Sequence, residues 1–202
     1  MKGVHLEMKK QLLIAGLSSL FVIAGCGQSE GTADKNKENE NQTQEEATNG
    51  DKKEENNKQL QSTLLDTQLE LSKQLRPHNV VVKDIQAQIE NLSTIEDEQE
   101  LATAKAEVTT KAVDVQKEVE KAIEKLNSFS IKGELSDENT EKLNAAIGDL
   151  EAYFNVVKSA LDKPVEADFT KANEKFSSFE EKLGNLYEKA GLLAPNMKKE
   201  LS

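Results

Sequence analysis

Phe169, Ala172, Phe176, Phe179, Leu183, Leu186 and Ala190 follow one another at steps of three and four residues. A period of 3.6 lays such a set along one stripe of an α-helix, whereas a strand would scatter it over both faces. A helix with a single apolar stripe must bury it against other helices. The same stepping runs upstream through Leu101, Ala104, Val108, Ala112, Val115, Val119, Ala122 and Leu126, and again through Leu143, Ile147, Leu150, Phe154, Val157 and Leu161. These stripes predict an all-α fold over residues 59–202, an antiparallel helical bundle with coiled-coil-like packing.

The punctuation of the chain divides this bundle. Leu60, Leu64, Leu65, Leu71 and Leu75 mark a first helix that Pro77 should stop, because proline lacks the N–H and its ring clashes with the preceding turn. Val80, Val81 and Val82 have strand character, but they lead into Ile85, Ile89 and Leu92 at helical spacing, which predicts a second helix. Ser93 and Glu96 read as a capping box for a long helix reaching about Asn127, with Glu107–Lys111 and Asp114–Lys117 pairs on its solvated face. Residues 128–135 read as a loop, Ser136 opens a helix to about Asp162, Pro164 begins the last helix, and Gly191 is its C-cap. All aromatic residues downstream of Cys26 follow Asn127, so the last two helices should hold the denser core.

Gly27 to Lys58 contains no aromatic residue and no Leu, Ile, Val or Met. With nothing to bury it cannot offset the entropy of ordering, so residues 26–58 are expected to form a disordered tether ahead of the bundle. Its nine acidic residues and five lysines are mixed, not blocked, which disfavours a dedicated tail for a basic partner.

The one cysteine of the 202 residues, Cys26, sits where an uncharged apolar run gives way to this polar segment. Gln11 to Gly25 carries no charge, and Lys9 and Lys10 precede it. A basic start, a short apolar stretch and small residues at its exit form the layout of a signal peptide over residues 1–25. The order Ile23, Ala24, Gly25, Cys26 resembles the lipobox of bacterial lipoproteins, with Ile23 where that family most often has Leu. The resemblance implies cleavage between Gly25 and Cys26, and a diacylglyceryl group on the Cys26 thiol. The seven residues MKGVHLE ahead of Met8 are out of character for the start of such a peptide, and translation is expected to begin at Met8.

Removing residues 1–25 takes three lysines and one glutamate from totals of 26 basic and 37 acidic residues, leaving a net charge of about −13. That sign argues against nucleic acid and anionic lipid as partners. Membrane attachment would then rest on acyl chains at Cys26, each buried CH₂ contributing about 0.8 kcal/mol.

Chemistry finds little to work with. Once residues 1–25 are removed the only histidine is His78, expected in a solvated loop beside Pro77, and no serine lies in a nucleophile-elbow context. No His-Glu-x-x-His, Glu-x-x-His pair or calcium loop occurs. The acidic run Glu96, Asp97, Glu98, Glu100 is accounted for by the start of a helix, where the dipole favours carboxylates. No catalytic residue, metal site or cofactor is therefore expected.

The C-terminal stretch NEKFSSFEEKLGNLYEKAGL, Asn173 to Leu192, is similar to the small helical lipoproteins of Gram-positive bacteria described as cell-wall-binding. The expectation is a lipid-anchored lipoprotein on the extracytoplasmic face of the cell membrane, with a non-catalytic helical domain that binds or scaffolds a protein or cell-envelope partner. The alternative is a solute- or ion-binding receptor for a transporter or sensor, which would require a polar-lined cavity inside the bundle.

Overall fold

The computed structural model describes the backbone from Thr43 and the side chains from Lys53 to Ser202; the expected signal peptide, Gly25, Cys26 and the first part of the tether lie outside the described residues. Helix α1 spans Thr43–Asn91, α2 Glu98–Asn127, α3 Asp137–Ala160 and α4 Thr170–Lys189, followed by a single turn, α5, at Met197–Glu200. Among the described residues there is no strand, and no helix is long and apolar enough to cross a membrane.

Cross-helix pairs fix the directions. His78 meets Glu118 and Asp84 meets Lys111, so position numbers rise along α1 as they fall along α2. Gln116–Asp162 with Glu120–Lys158, Glu138–Lys189 with Asp149–Lys182, and Gln61–Ala190 with Leu64–Tyr187 give the same inversion for α2 against α3, α3 against α4 and α1 against α4. The bundle runs up, down, up, down. Beyond α4 the chain turns back and lays α5 along α1.

Five expectations are corrected by this arrangement. Pro77 does not stop α1, which absorbs the two predicted helices and Val80–Val82 into one element. Pro77 is on the exposed face, so the Lys73 carbonyl that loses its partner there is next to water, while Leu71, Leu75, Val82 and Ile85 hold both sides of it to one core. The α2 cap is Asp97, not Ser93, and its carboxylate accepts from the N–H groups of Gln99 and Glu100. Pro164 opens only a 3₁₀ turn; α4 starts at Thr170 after Phe169 has been drawn into the core. Leu65 is half exposed, its place in the stripe taken by Thr63, Leu64 and Thr67. Lys111 pairs with Asp84 across to α1 instead of with Glu107, whereas the Asp114–Lys117 pair forms at 2.9 Å.

Other boundaries agree with the sequence. Ser136 caps α3 through the Asn139 N–H. Gly191, at φ 74°, closes α4 with paired bonds from its own N–H to the Glu188 carbonyl and from the Leu192 N–H to the Tyr187 carbonyl. Side chains 53–59 are exposed and Leu60 is the first to be buried, so the packed core begins at the sequence boundary. The α1 backbone starts earlier, within the segment read as a tether. A helix already nucleated against a core extends at little further cost.

The aromatic core is where composition placed it. Tyr153 meets Phe154 edge-on at 4.9 Å and Phe176 at 5.2 Å, and Phe176 meets Phe179 at 5.7 Å. Each such side chain, fully buried, contributes about 1.5–3 kcal/mol. The α1 seam is built differently: among its leucines it buries Thr63, Thr67, His78 and Asn79.

Candidate functional site

Those buried polar residues lead to the site. Asn79 is fully enclosed; its side-chain nitrogen donates to the Leu201 carbonyl at 3.0 Å, and its oxygen accepts from the Tyr153 hydroxyl at 2.9 Å. One turn on, Lys83 donates to the Lys198 carbonyl at 2.8 Å and touches the Ser202 hydroxyl. Two side chains of α1 thus hold the returning C-terminal segment, which also buries Met197 and Leu201 and is fastened to α4 by the Lys198 N–H to Glu180 at 2.9 Å.

Between α1, α3, α4 and that segment lies a cleft of about 300 Å³. Its α1 wall carries Asn79, Lys83, Gln86 and Glu90, at steps of four, three and four, which puts all four on one helical stripe. The opposite wall is Phe169, Asn173 and Phe176 at the start of α4, also at helical spacing, with Tyr153 between and Lys198 at the rim. Glu90, Phe169 and Asn173 also line a shallower groove, floored by Leu92, Leu101 and Val165, so the cleft opens towards the turn that joins α1 to α2.

The electrostatics of the lining run against those of the whole chain. The full sequence carries a formal charge of −11, yet the lining holds Lys83 and Lys198 against Glu90. Burial pushes the Lys83 ammonium pKa down, and the Lys198 charge pushes it further, opposed by Glu180. Burial raises the Tyr153 phenol, so it stays a neutral donor. The Gln86 side-chain nitrogen is hidden from water and has no hydrogen-bond partner. An unmatched buried donor costs about 1–3 kcal/mol.

His78 is not the solvated loop residue that Pro77 suggested. It is 7 % exposed in the middle of α1, with Nδ1 2.8 Å from the Glu118 carboxylate, because the helix continues and turns that ring towards α2. The pair faces away from the Asn79 bonds and is not part of the cleft lining. Glu96, Asp97, Glu98 and Glu100 lie around the start of α2, where Asp97 serves as cap. Among the described residues no three His, Cys, Asp or Glu side chains converge as a metal cage. Lined by amides, aromatic rings and two ammonium groups, with no serine, cysteine or histidine, the cleft is equipped to hold a molecule.

Pro77 puts Asn79 in an expected loop, and the wall facing Lys83, Gln86 and Glu90 comes from residues 153–198, which no local pattern around α1 reveals. The step of four, three and four through Asn79, Lys83, Gln86 and Glu90, beside Val82, Ile85 and Ile89, was the available signal for the α1 wall.

No protein-family model matches the chain, and neither a curated protein nor a solved structure matches it significantly.

Proposed function

We propose that this chain is a bacterial lipoprotein, cut between Gly25 and Cys26, acylated on the Cys26 thiol, and displaying its helical domain on the extracytoplasmic face of the cell membrane as a non-catalytic binding module. The observation that carries this reading is the series Ile23, Ala24, Gly25, Cys26 at the exit of an uncharged apolar run behind two lysines. The chain's lone cysteine then has a purpose as an attachment point. A net charge of about −13 after cleavage, computed from the sequence, leaves acyl chains as the means of holding so acidic a protein at an anionic surface.

Two kinds of cargo fit such a module: a protein or envelope partner on the outside of the bundle, or a small solute within it. The cleft beside Asn79 and Lys83 favours the solute, because it supplies the inward-facing polar groups that a helical receptor requires.

Metabolic labelling with a palmitate analogue tests the anchor. The wild-type protein should carry label and sediment with membranes, and Cys26→Ala should lose both. Membrane retention of the unlabelled variant would overturn the assignment.

A further inference from the structure

We infer that the cleft between α1, α4 and the C-terminal segment is a binding site for a small monocarboxylate with an aromatic or branched apolar body. The inference rests on reading the helical domain as a binding module, and is independent of the lipid anchor.

The anionic end follows from the placement of donors. An ammonium group has three N–H bonds to give. Lys83 spends two, on the Lys198 carbonyl and the Ser202 hydroxyl, and keeps one beside the cleft that it lines. Lys198 is bound through its backbone alone, its carbonyl to Lys83 and its N–H to Glu180, so among the described residues its ammonium group has no partner. Gln86 adds a side-chain nitrogen that is buried and unmatched. Three lining residues therefore carry unused donors, the two ammonium groups directly and the Gln86 amide once its hidden nitrogen turns into the cleft, and together they complement a carboxylate.

The apolar body follows from the other wall. Phe169 and Phe176 are buried to within a tenth of their surface and flank the opening, with Tyr153 behind them meeting Phe176 edge-on. Asn79 and Tyr153 satisfy each other and so add shape without demanding a partner. A volume of about 300 Å³ admits one ring or branched chain with a short acid arm. Glu90, at the end shared with the outer groove, repels a second acid group and so selects a single carboxylate.

The site also couples to the C-terminal segment. Lys198 belongs to α5, and the bonds that hold it come from Lys83 and Glu180. A bound carboxylate bridging Lys198 and Gln86 would fasten that segment to α1 by one more link.

The test uses residues 26–202 with Cys26→Ser, which carries the whole compact unit Asn41–Ser202 and needs no acylation. 3-Phenylpropionate is titrated against the ¹⁵N-labelled protein, with 3-phenylpropan-1-ol as its uncharged counterpart. The expected result is saturable shifts of the Gln86 side-chain amide and of α5, with the alcohol binding about tenfold more weakly, as the loss of one charge-assisted hydrogen bond requires. Lys198→Gln should weaken the acid by a similar factor and leave the melting temperature unchanged. Gln86→Leu should raise the melting temperature while weakening the acid several-fold and leaving the alcohol unaffected, a combination that a purely structural role for Gln86 would not produce. Equal binding of acid and alcohol, wild-type affinity in both variants, or no cleft shifts up to about 10 mM acid, tenfold weaker than a dissociation constant of about 1 mM, would overturn the inference. Palmitate labelling of wild-type protein reads the anchor separately, so failure of one proposal is distinguishable from failure of the other.

Discussion

The Tyr153 hydroxyl donates to the Asn79 side chain across the core at 2.9 Å, and Asn79 passes the link on to the Leu201 carbonyl at 3.0 Å. One amide thereby joins the first helix, the aromatic core and the end of the chain. Asn79→Ala would leave the Tyr153 hydroxyl and the Leu201 carbonyl unpaired, at about 1–3 kcal/mol for each buried group. Tyr153→Phe should cost less, since it strands one oxygen. In urea denaturation the double variant should be more stable than the sum of the two losses predicts, by roughly 0.5–3 kcal/mol of coupling; strict additivity would show that the two side chains do not act together.

Asp149 supplies a pH dependence. Burial pushes its carboxyl up, but bonds from Lys182 and Ser178, with the charges of Lys182 and Lys175, outweigh burial and hold it below the usual range. A carboxyl depressed in the folded state contributes stability that is complete above its unfolded value of about 3.9 and is lost as pH falls through the folded value. Asp149→Asn should cost about 1.5 kcal/mol near neutrality, at the low end for a charged pair because Lys182 is 43 % exposed. Denaturation midpoints should show the deficit steady from pH 7 to about 5 and shrinking below about pH 4. A deficit unchanged at pH 3 would contradict this account.

One substitution should act in opposite directions at two glycines. Gly191 holds φ at 74° in the turn that ends α4, so Gly191→Ala forces a side chain into left-handed backbone and should cost about 1 kcal/mol. Gly148 sits inside α3 on an exposed face with open space where a Cβ would go, so Gly148→Ala should gain about 0.5–1 kcal/mol. Thermal melts of the two variants, compared with wild type, decide both.

Pro77→Ala is expected to stabilise the protein. It restores a donor for the Lys73 carbonyl on a solvent-facing turn of α1. An interior proline costs about 3 kcal/mol relative to alanine, less about 0.4–1 kcal/mol for the freedom the unfolded chain regains, leaving a net gain of about 2 kcal/mol. Unfolding in urea measures it, and a loss of stability would mean that α1 depends on the proline for its course.

The architecture was legible where one apolar stripe met one capping signal. α2 to Asn127, the Ser136 cap and the Gly191 terminus could all be read because local propensity and tertiary packing agree there. Reading failed where they disagree. At Pro77 the burial of Leu71, Leu75, Val82 and Ile85 overrides a strong local breaker, and no local rule weighs contacts that are distant in sequence. The same local rule puts His78 and Asn79 in a loop, while Lys83 and Gln86 stay in the predicted second helix with no partner in sequence to mark their stripe as one wall of a cleft. Asp97 won the cap from Ser93 because its carboxylate reaches two N–H groups at once. What the chain could not disclose is that Lys83 and Asn79 face residues 198 and 201, a pairing made only by the return of the chain after Gly191.

That return has a consequence for the order of events during synthesis. Six hydrogen bonds join α1 to partners 115 to 129 positions further along, among them Gln61 with Ala190, Leu64 with Tyr187, Asn79 with Leu201 and Lys83 with Lys198. A chain emerging from its N-terminus makes α1 first and its partners last, and contacts so far apart must await the final segment. Until then the polar groups on the inner face of α1 have only water to satisfy them, and the bundle lacks one wall. If the chain is exported as the precursor proposed above, a first helix that closes only on residues 187–202 would delay completion of the fold until transport is over.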